Sequence, residues 1–577
     1  NHIRSFTQKH DIRPFDTSAD GTLPGEGSAA VVLKRLDQAL LEGDRIYCVI
    51  KGMGKAGGSG VKNDSPSKDT VVLSLKRSFQ DAGISPSTVS FVETHGSGNP
   101  IEDQIESEAL LEVFNGQHPT CAVGSVMPNI GHTGAAAGLA SLVKTSLCLY
   151  QEIIPPLTNF VNPTSSLWQN SPFHMPALPQ YWSRDRKDGP RRACVGSMTT
   201  DGNCMHAILE GVEHNTVDPV SEKIFLERKR PLGLMKQGLF MVEGNSENEL
   251  LEGLSLLLTH MKHSQDTAAG LSMELLARSW FRKNDLVPDK TLSVSIVAEN
   301  PAQLETLIDD AKTAVSNQTP RTINGSGGVG FSPSPLGPTG DVAFVFPGSG
   351  NHYVGMGRGI GVLWPEILRK MDADTRQLKT QLIPECYVPW RTSWETGWEK
   401  DAHKRIVSDP LNMIFGQVVH GSVMTCLVKQ LGIKPDAVIG YSLGESAGLF
   451  AMGVWPDRGQ MLKRMLGTDL FSTELAGPCN AARIAWEIPD DEDMNWCVAV
   501  VNRSARRVRT KIDKHPFVRL LIINTPDQCV IGGRKPFVEA IIQELGCEAV
   551  FLDGVVTVHC DAASPVAEDY KNLHLFE

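Results

Sequence analysis

The chain has 577 residues, 41% of them hydrophobic and 21% charged, with a formal net charge of −11. That composition fits a globular protein of about three or four domains. An acidic chain with no evident basic block is a poor match for nucleic acid or, by charge, an anionic membrane surface.

The 12 Cys are scattered, without a CxxC pair or a Cys/His ladder at zinc spacing, so reduced thiols and no metal are expected. No run of about 18 apolar residues suggests a membrane span, and no secretory signal is seen. A cytoplasmic location follows as an expectation. The chain opens on Asn1 in mid-domain character and is expected to be a fragment.

Residues 1–210 read as alternating strands and helices. "AAVVLKRL" (29–36) and "IYCVIKGMG" (46–54) predict strands, and "DTVVLSLKRSFQDAGI" (69–84) a helix with a Gly stop. "VSFVETHGSG" (89–98) predicts a strand entering a Gly-rich loop. "CAVGSVMPNIGHTGAAAGLASLVKTSLCLYQ" (121–151) predicts strand, turn and a helix of small residues. "ACVGSMTTDGNCMHAILE" (193–210) predicts strand, loop, strand. Residues 211–323 read as a small α+β connector, with strands at "LFMVEG" and "TLSVSIVAEN" and helices capped by Ser246 and Asn300. Residues 324–340, "NGSGGVGFSPSPLGPTG", read as a Gly/Ser/Pro linker rather than a phosphate cradle, since no Lys-Ser/Thr or helix follows. Alternation resumes over 341–577, with a small α+β insert at 483–550.

"DAVIGYSLGESAGLFAMGV" (436–454) is a strand, a sharp turn and a helix, with Ser442 between Gly440 and Gly444 in the G-x-S-x-G pattern. Small neighbours suit a strained turn, and a helix opening after the Ser presents free N–H groups to a reacting oxygen. The Leu443 N–H is one such donor. "GYSLGES" resembles the GHSxGE elbow of the acyltransferases of fatty-acid and polyketide synthases. "FVFPGSGNHYVGMGR" (344–358) and "NTPDQCVIGG" (524–533) resemble two further motifs of that family, in the same order. The resemblance implies Ser442 as nucleophile, His559 of "TVHCDAASP" as its base, and oxyanion donors at the Leu443 and Ser349 N–H groups. The Arg by which malonyl-selective members hold a carboxylate falls at Gly467, with Arg464 one turn earlier, and Tyr441 stands where a His is usual.

His95 in "VETHGSGNPIEDQIE" and His132 in "GSVMPNIGHTG" each follow a strand at a Gly-rich turn. Two imidazole donors suit enolate stabilisation. These stretches, with "RPFDTSADGTLPGEGSAAVVLKRL" (13–36), resemble the HGTGT, NIGH and RPFD segments of β-ketoacyl synthases. That resemblance implies a Cys-His-His site whose Cys falls upstream of this sequence. Met127 replaces the family's Lys, and "SMTTDGNCMH" replaces its Phe-gate loop.

The order of segments resembles the B-type component of polyunsaturated fatty acid synthases. The expected fold is α/β: the C-terminal half of a thiolase-like ketosynthase (1–210), an α+β connector (211–323), a linker (324–340), and an α/β-hydrolase-like acyltransferase with a ferredoxin-like subdomain (341–577). The resemblance implies acyl-CoA and phosphopantetheine-linked acyl carrier protein as substrates, with no bound cofactor. Expected partners are carrier domains of the same synthase, other synthase subunits and a second copy through the ketosynthase-like domain, and neither nucleic acid nor membrane. The alternatives are a thioesterase-type hydrolase and a non-catalytic, chain-length-factor-like docking subunit.

Overall fold

The structure, a computed structural model, describes residues 6–57, 66–114, 121–164, 168, 171–199, 201–212, 226–233, 235–267, 272–284, 286, 290–325, 327–337, 339–387, 398–489 and 491–576. Thr200 and the start of the expected connector, 213–225, lie outside the described residues. Two compact units are present: Asn1–Pro231 with Ala343–Lys434 and Val438–Glu577, and Leu232–Val342 with Pro435–Ala437.

The first unit holds a six-stranded sheet in the order Val49–Ala56, Cys204–Glu210, Arg192–Met198, Phe91–Glu93, Cys121–Gly124, Phe173–His174. The first two ladders are antiparallel and the other three parallel. The central parallel strands are buried on both faces, which is why "FVE" and "CAVG" read as unbroken apolar runs apart from Glu93. The helix Lys68–Ala82 starts where the Ser67 hydroxyl accepts the Thr70 N–H and stops at Gly83. Phe15 of the RPFD segment packs edge-on against Trp168, and Trp168 against Phe173. Asp16 accepts the Val161 and Asn162 N–H groups at 2.7 and 2.8 Å, clamping that segment to the sheet's far side.

One predicted strand is absent. "AAVVLKRL" runs without ladder partners up to Arg35 and then enters a short helix, Leu36–Leu41. Its residues have strand composition, but a strand needs a neighbour. Val32, 98% exposed, faces none.

The second unit is a three-stranded antiparallel sheet in the order Gly328–Phe331, Leu292–Ala298, Gly238–Gly244. The helices Glu247–Thr267, Met273–Lys283 and Pro301–Ser316 share its core with Phe240, Leu254, Val294 and Phe331. The stretch read as a linker therefore supplies an edge strand: Val329 and Phe331 alternate inward between less buried glycines. The Gly and Pro count hid this short period-two pattern.

The remainder of the first unit pairs Ala343–Phe346 with Ala437–Gly440 and surrounds them with helices. The 21-residue helix Pro410–Gln430 is long and apolar enough, by length and composition, to cross a membrane, which the sequence pattern did not suggest. Here it is a packed helix, with Met413, Phe415, Val418 and Val423 buried. The insert is a β-α-β-β-α-β unit running from Trp496 to Leu552. Its antiparallel sheet has the order Val518–Thr525, Gln528–Arg534, Trp496–Val501, Ala549–Leu552, the split β-α-β arrangement of a ferredoxin-like unit. Its first helix, Ala505–Ile512, is "ARRVRTKI", so the chain does carry a local basic block despite its acidic total.

A buried ionic hub ties the sheet half of this unit to its helical half. Glu152 accepts the Tyr181 hydroxyl at 2.6 Å and lies 3.2, 3.3 and 3.7 Å from Arg228, Arg191 and Arg369. Arg369, on the helix Pro365–Asp374, also donates to the Gln151 carbonyl at 2.9 Å. Burial alone would raise the Glu152 carboxyl, but Arg191, Arg369 and Arg228 together hold it down at about 2, against an ordinary 4.5. Removing one partner of a buried network leaves charges uncompensated. Glu152→Ala is expected to lower unfolding stability by roughly 3–5 kcal/mol in denaturant titration. Because the folded value lies below the unfolded one, this contribution is complete above about pH 4.5 and lost as pH falls toward 2. The variant's deficit should therefore shrink only in that acid window.

Candidate active site

The Ser442 site is built by backbone crowding. The strand Ala437–Gly440 ends, and the helix Leu443–Ala451 begins, within a few residues, leaving Ser442 at φ +52° and ψ −119°. A Cβ on Gly440 would sit 2.3 Å from the Glu445 nitrogen, and one on Gly444 would sit 2.1 Å from the Phe346 oxygen. Only hydrogen fits at both positions. The pinched turn projects the hydroxyl outward, where Ser442 Oγ lies 2.7 Å from His559 Nε2.

His559 comes from a distant segment and also has positive φ, +62°. Burial pushes its imidazole below the ordinary 6.5, with Glu445, in the helix's first turn, pulling the other way. The neutral form that can accept a proton is therefore favoured near neutrality.

The Leu443 and Ser349 N–H groups have no backbone acceptor among the described residues. The turn that carries Ser349 is held from outside. Gln417, buried in the helix Pro410–Gln430, donates to the Pro347 carbonyl at 3.1 Å and also to the Gly348 carbonyl. Gln417 was missed in the sequence; its signal was a lone amide in the apolar run "MIFGQVV". The Tyr441 hydroxyl donates to Asn524 Oδ1 at 2.8 Å, giving this non-His residue a definite partner.

Ser349, Ser442, Leu443 and His559 line one cavity of about 650 Å³. Its walls include Met413, Phe415, Phe450, Met461, Met465 and Leu475, and no Arg or Lys lines it among the described residues. Arg464 does not serve as a carboxylate clamp. It donates to the Leu573 carbonyl at 3.0 Å and the Leu575 carbonyl at 2.6 Å, and its guanidinium lies 4.8 Å from the Phe576 ring centre.

His95 and His132 meet elsewhere, outside the Ser442 cavity. Their rings are edge-to-face with centres 5.3 Å apart. His95 is 1% exposed; its N–H and that of Gly96 donate to Glu106 at 2.8 and 3.0 Å. The Met198 N–H points at His95 Nδ1, 3.4 Å away. His132 is fixed by the "TLPGEG" segment, its N–H donating to the Leu23 carbonyl at 2.7 Å and its carbonyl accepting the Gly25 N–H at 3.0 Å. Around His95 lie four buried carboxylates, Glu93, Glu102, Asp103 and Glu106. Lys144 pairs with Glu93 at 2.8 Å. Burial pushes Glu106 up to about 7, against the two backbone N–H groups that favour its anion. Met127, where ketosynthases carry Lys, is buried and adds no charge.

The elbow geometry gives a direct test. Gly444→Ala is expected to abolish labelling of Ser442 by a fluorophosphonate probe, because its Cβ would displace the Phe346 carbonyl. Ser446→Ala, one residue past Glu445, should label normally.

Two family descriptions match the chain: "Beta-ketoacyl synthase, N-terminal domain" over residues 2–39 and "Beta-ketoacyl synthase, C-terminal domain" over 47–161. Similar curated proteins include a polyunsaturated fatty acid synthase subunit from Thraustochytrium sp., 28% identical over 95% of this chain and 20% of that protein. Another is a phenolphthiocerol/phthiocerol polyketide synthase subunit from Mycobacterium tuberculosis, 27% identical over 94% and 32%. A third is the hybrid PKS-NRPS synthetase pytA of Aspergillus terreus, 31% identical over 77% and 63%. The chain thus spans less than two thirds of each of these relatives. A ketosynthase from module 6 of the Bacillus subtilis 168 bacillaene synthase is 27% identical over 57% of this chain and 53% of its own, with a TM-score of 0.35, too loose a likeness to argue from. The matched residues carry both histidines and the central strands, and the fold of that part is the thiolase-like ketosynthase fold. The chain carries ketosynthase-domain sequence and is homologous to polyketide and polyunsaturated fatty acid synthase subunits.

Proposed function

We propose that the chain is an acyl-transferring part of such a synthase, of the polyunsaturated fatty acid B type, acting through an acyl-Ser442 intermediate. The observation that carries this reading is the 2.7 Å contact between Ser442 Oγ and His559 Nε2 at the strand-to-helix elbow. As Oγ attacks the thioester carbonyl, Nε2 takes its proton. The oxyanion of the tetrahedral intermediate accepts the Leu443 and Ser349 N–H groups. The C–S bond then breaks, and His559 returns the proton to the departing thiolate. A second thiol, on a carrier's phosphopantetheine, reverses these steps and leaves with the acyl group. The donor is acyl-CoA.

The transferred acyl group is apolar and uncharged at its far end. A malonyl carboxylate would enter a wall of Met and Phe side chains with no cation to replace its lost water. Methionines at three wall positions let one cavity fit several chain shapes. His95 and His132 suit enolate stabilisation in a condensation whose cysteine lies outside this sequence. Carrier domains, other synthase subunits, a second copy and a cytoplasmic setting belong to the same proposal.

Intact-protein mass after incubation with an acyl-CoA panel tests the reading. An adduct on Ser442 is expected with saturated acyl donors and lost in Ser442→Ala; no adduct from any donor would sink it. Malonyl-CoA should acylate at least about tenfold more slowly. Release of the acyl group to water, with none passing to a carrier protein, would identify a hydrolase instead. The rate of acylation should rise with pH and level off with a midpoint below 6.5, because His559 must be neutral. Glu445→Gln should move that midpoint lower still.

A further inference from the structure

A polar path leads from the nucleophile turn to the basic helix. The Tyr441 hydroxyl donates to Asn524 Oδ1 at 2.8 Å, Asn524 Nδ2 to Gln528 Oε1 at 3.1 Å, and Gln528 Nε2 to Asn502 Oδ1 at 3.2 Å. Asn502 and Asn524 are exposed and Gln528 is half-buried. The same strand that carries Asn524 gives Leu521 and Ile522 to the cavity wall, so the path starts at the cavity rim. Each side-chain amide has two donors and two acceptor lone pairs. One bond in and one bond out leave both a donor and an acceptor free on Asn524 and on Gln528.

The path ends at Asn502, shortly before the helix Ala505–Ile512. From Arg503 to Lys514 the chain has six cations and one acid, within a protein of net charge −11. Arg503 is committed to the Leu545 and Gly546 carbonyls, and Lys511 to Glu544. Arg506, Arg507 and Arg509 are exposed and have no ion pair among the described residues. Val508 turns inward and anchors the helix, which leaves the arginines on its outer side.

We propose that this surface binds the phosphopantetheine arm of the acyl donor and acceptor, a reading that rests on the acyl-Ser442 chemistry above. The arm has two amides in series, which the free amide groups of Asn524 and Gln528 match. It ends in a phosphate, which exposed guanidinium groups hold through paired N–H donors. Three zones follow one another: apolar walls for the acyl group, neutral amides for the arm, and Arg506 with Arg507 for the phosphate. Coenzyme A and a carrier-bound arm share this chemistry.

The test uses one acyl group on four donors: pantetheine, phosphopantetheine, coenzyme A and a carrier protein. In Arg506→Glu/Arg507→Glu, kcat/KM for acyl-phosphopantetheine should fall about tenfold through KM, with acyl-pantetheine unchanged. A matching loss with coenzyme A, with the carrier, or with both identifies which source uses the site. Equal loss on acyl-pantetheine, or no loss on acyl-phosphopantetheine, overturns the proposal. A loss seen only with the carrier while acyl-phosphopantetheine is unaffected also overturns it and points to docking of the carrier's own surface. Asn524→Ala/Gln528→Ala should raise KM for acyl-pantetheine; no rise overturns the amide path. Failure of the unmodified protein to form acyl-Ser442 from acyl-pantetheine would instead overturn the underlying reading of Ser442.

Discussion

Where the strand Ala437–Gly440 meets the helix Leu443–Ala451, two backbones come so close that positions 440 and 444 admit no side chain. The rest of the site follows from that contact. The pinch forces Ser442 into a positive-φ conformation that L-residues adopt at a cost, so the surrounding packing must over-determine it. Phe346, whose carbonyl faces Gly444, also accepts the Tyr441 N–H at 3.0 Å. The two strands, the helix and the Pro347–Gly350 turn are thus locked through a few atoms. His559, also at positive φ, is the second strained residue, and the two meet side chain to side chain.

Buried charge is handled in two ways in the same unit. Glu152 is surrounded by guanidinium groups and stays ionised. The carboxylates near His95 have few cations and rely on backbone and hydroxyl donors, such as Ser97 to Glu102 at 2.5 Å. The first arrangement holds two halves of a unit together. The second leaves Asp103 and Glu106 with raised proton affinity beside an imidazole pair. A buried Lys at position 127 would change that balance, and the sequence has Met there.

Much of this was readable from residues because it depends on local chemistry. The Ser67 and Asn300 caps, the Gly83 stop and the small-residue elbow are decided within a few positions. Period and punctuation placed most strands of the first 210 residues. What could not be read depends on distant partners. "AAVVL" has strand composition but no neighbour, and "GVGF" has linker composition but a neighbour in Leu292–Ala298. Gln417 and Asn524 join the site only because two remote segments fold against the elbow. Arg464 sat at a plausible helical distance from the Ser, yet the carbonyls of Leu573 and Leu575 capture it. The basic helix was concealed by averaging charge over the whole chain.

The helix Pro410–Gln430 faces two tasks with adjacent residues. Met413, Phe415 and Val418 form part of the acyl wall, while Gln417 grips the carbonyls of Pro347 and Gly348. On the proposed chemistry, a chain that fills the wall pushes on the same rigid rod that sets the Ser349 N–H. A poorly fitting chain then leaves the donor misaligned with the developing negative charge. Discrimination among acyl groups therefore falls on turnover as well as on binding, since the fit is sensed where the transition state is held.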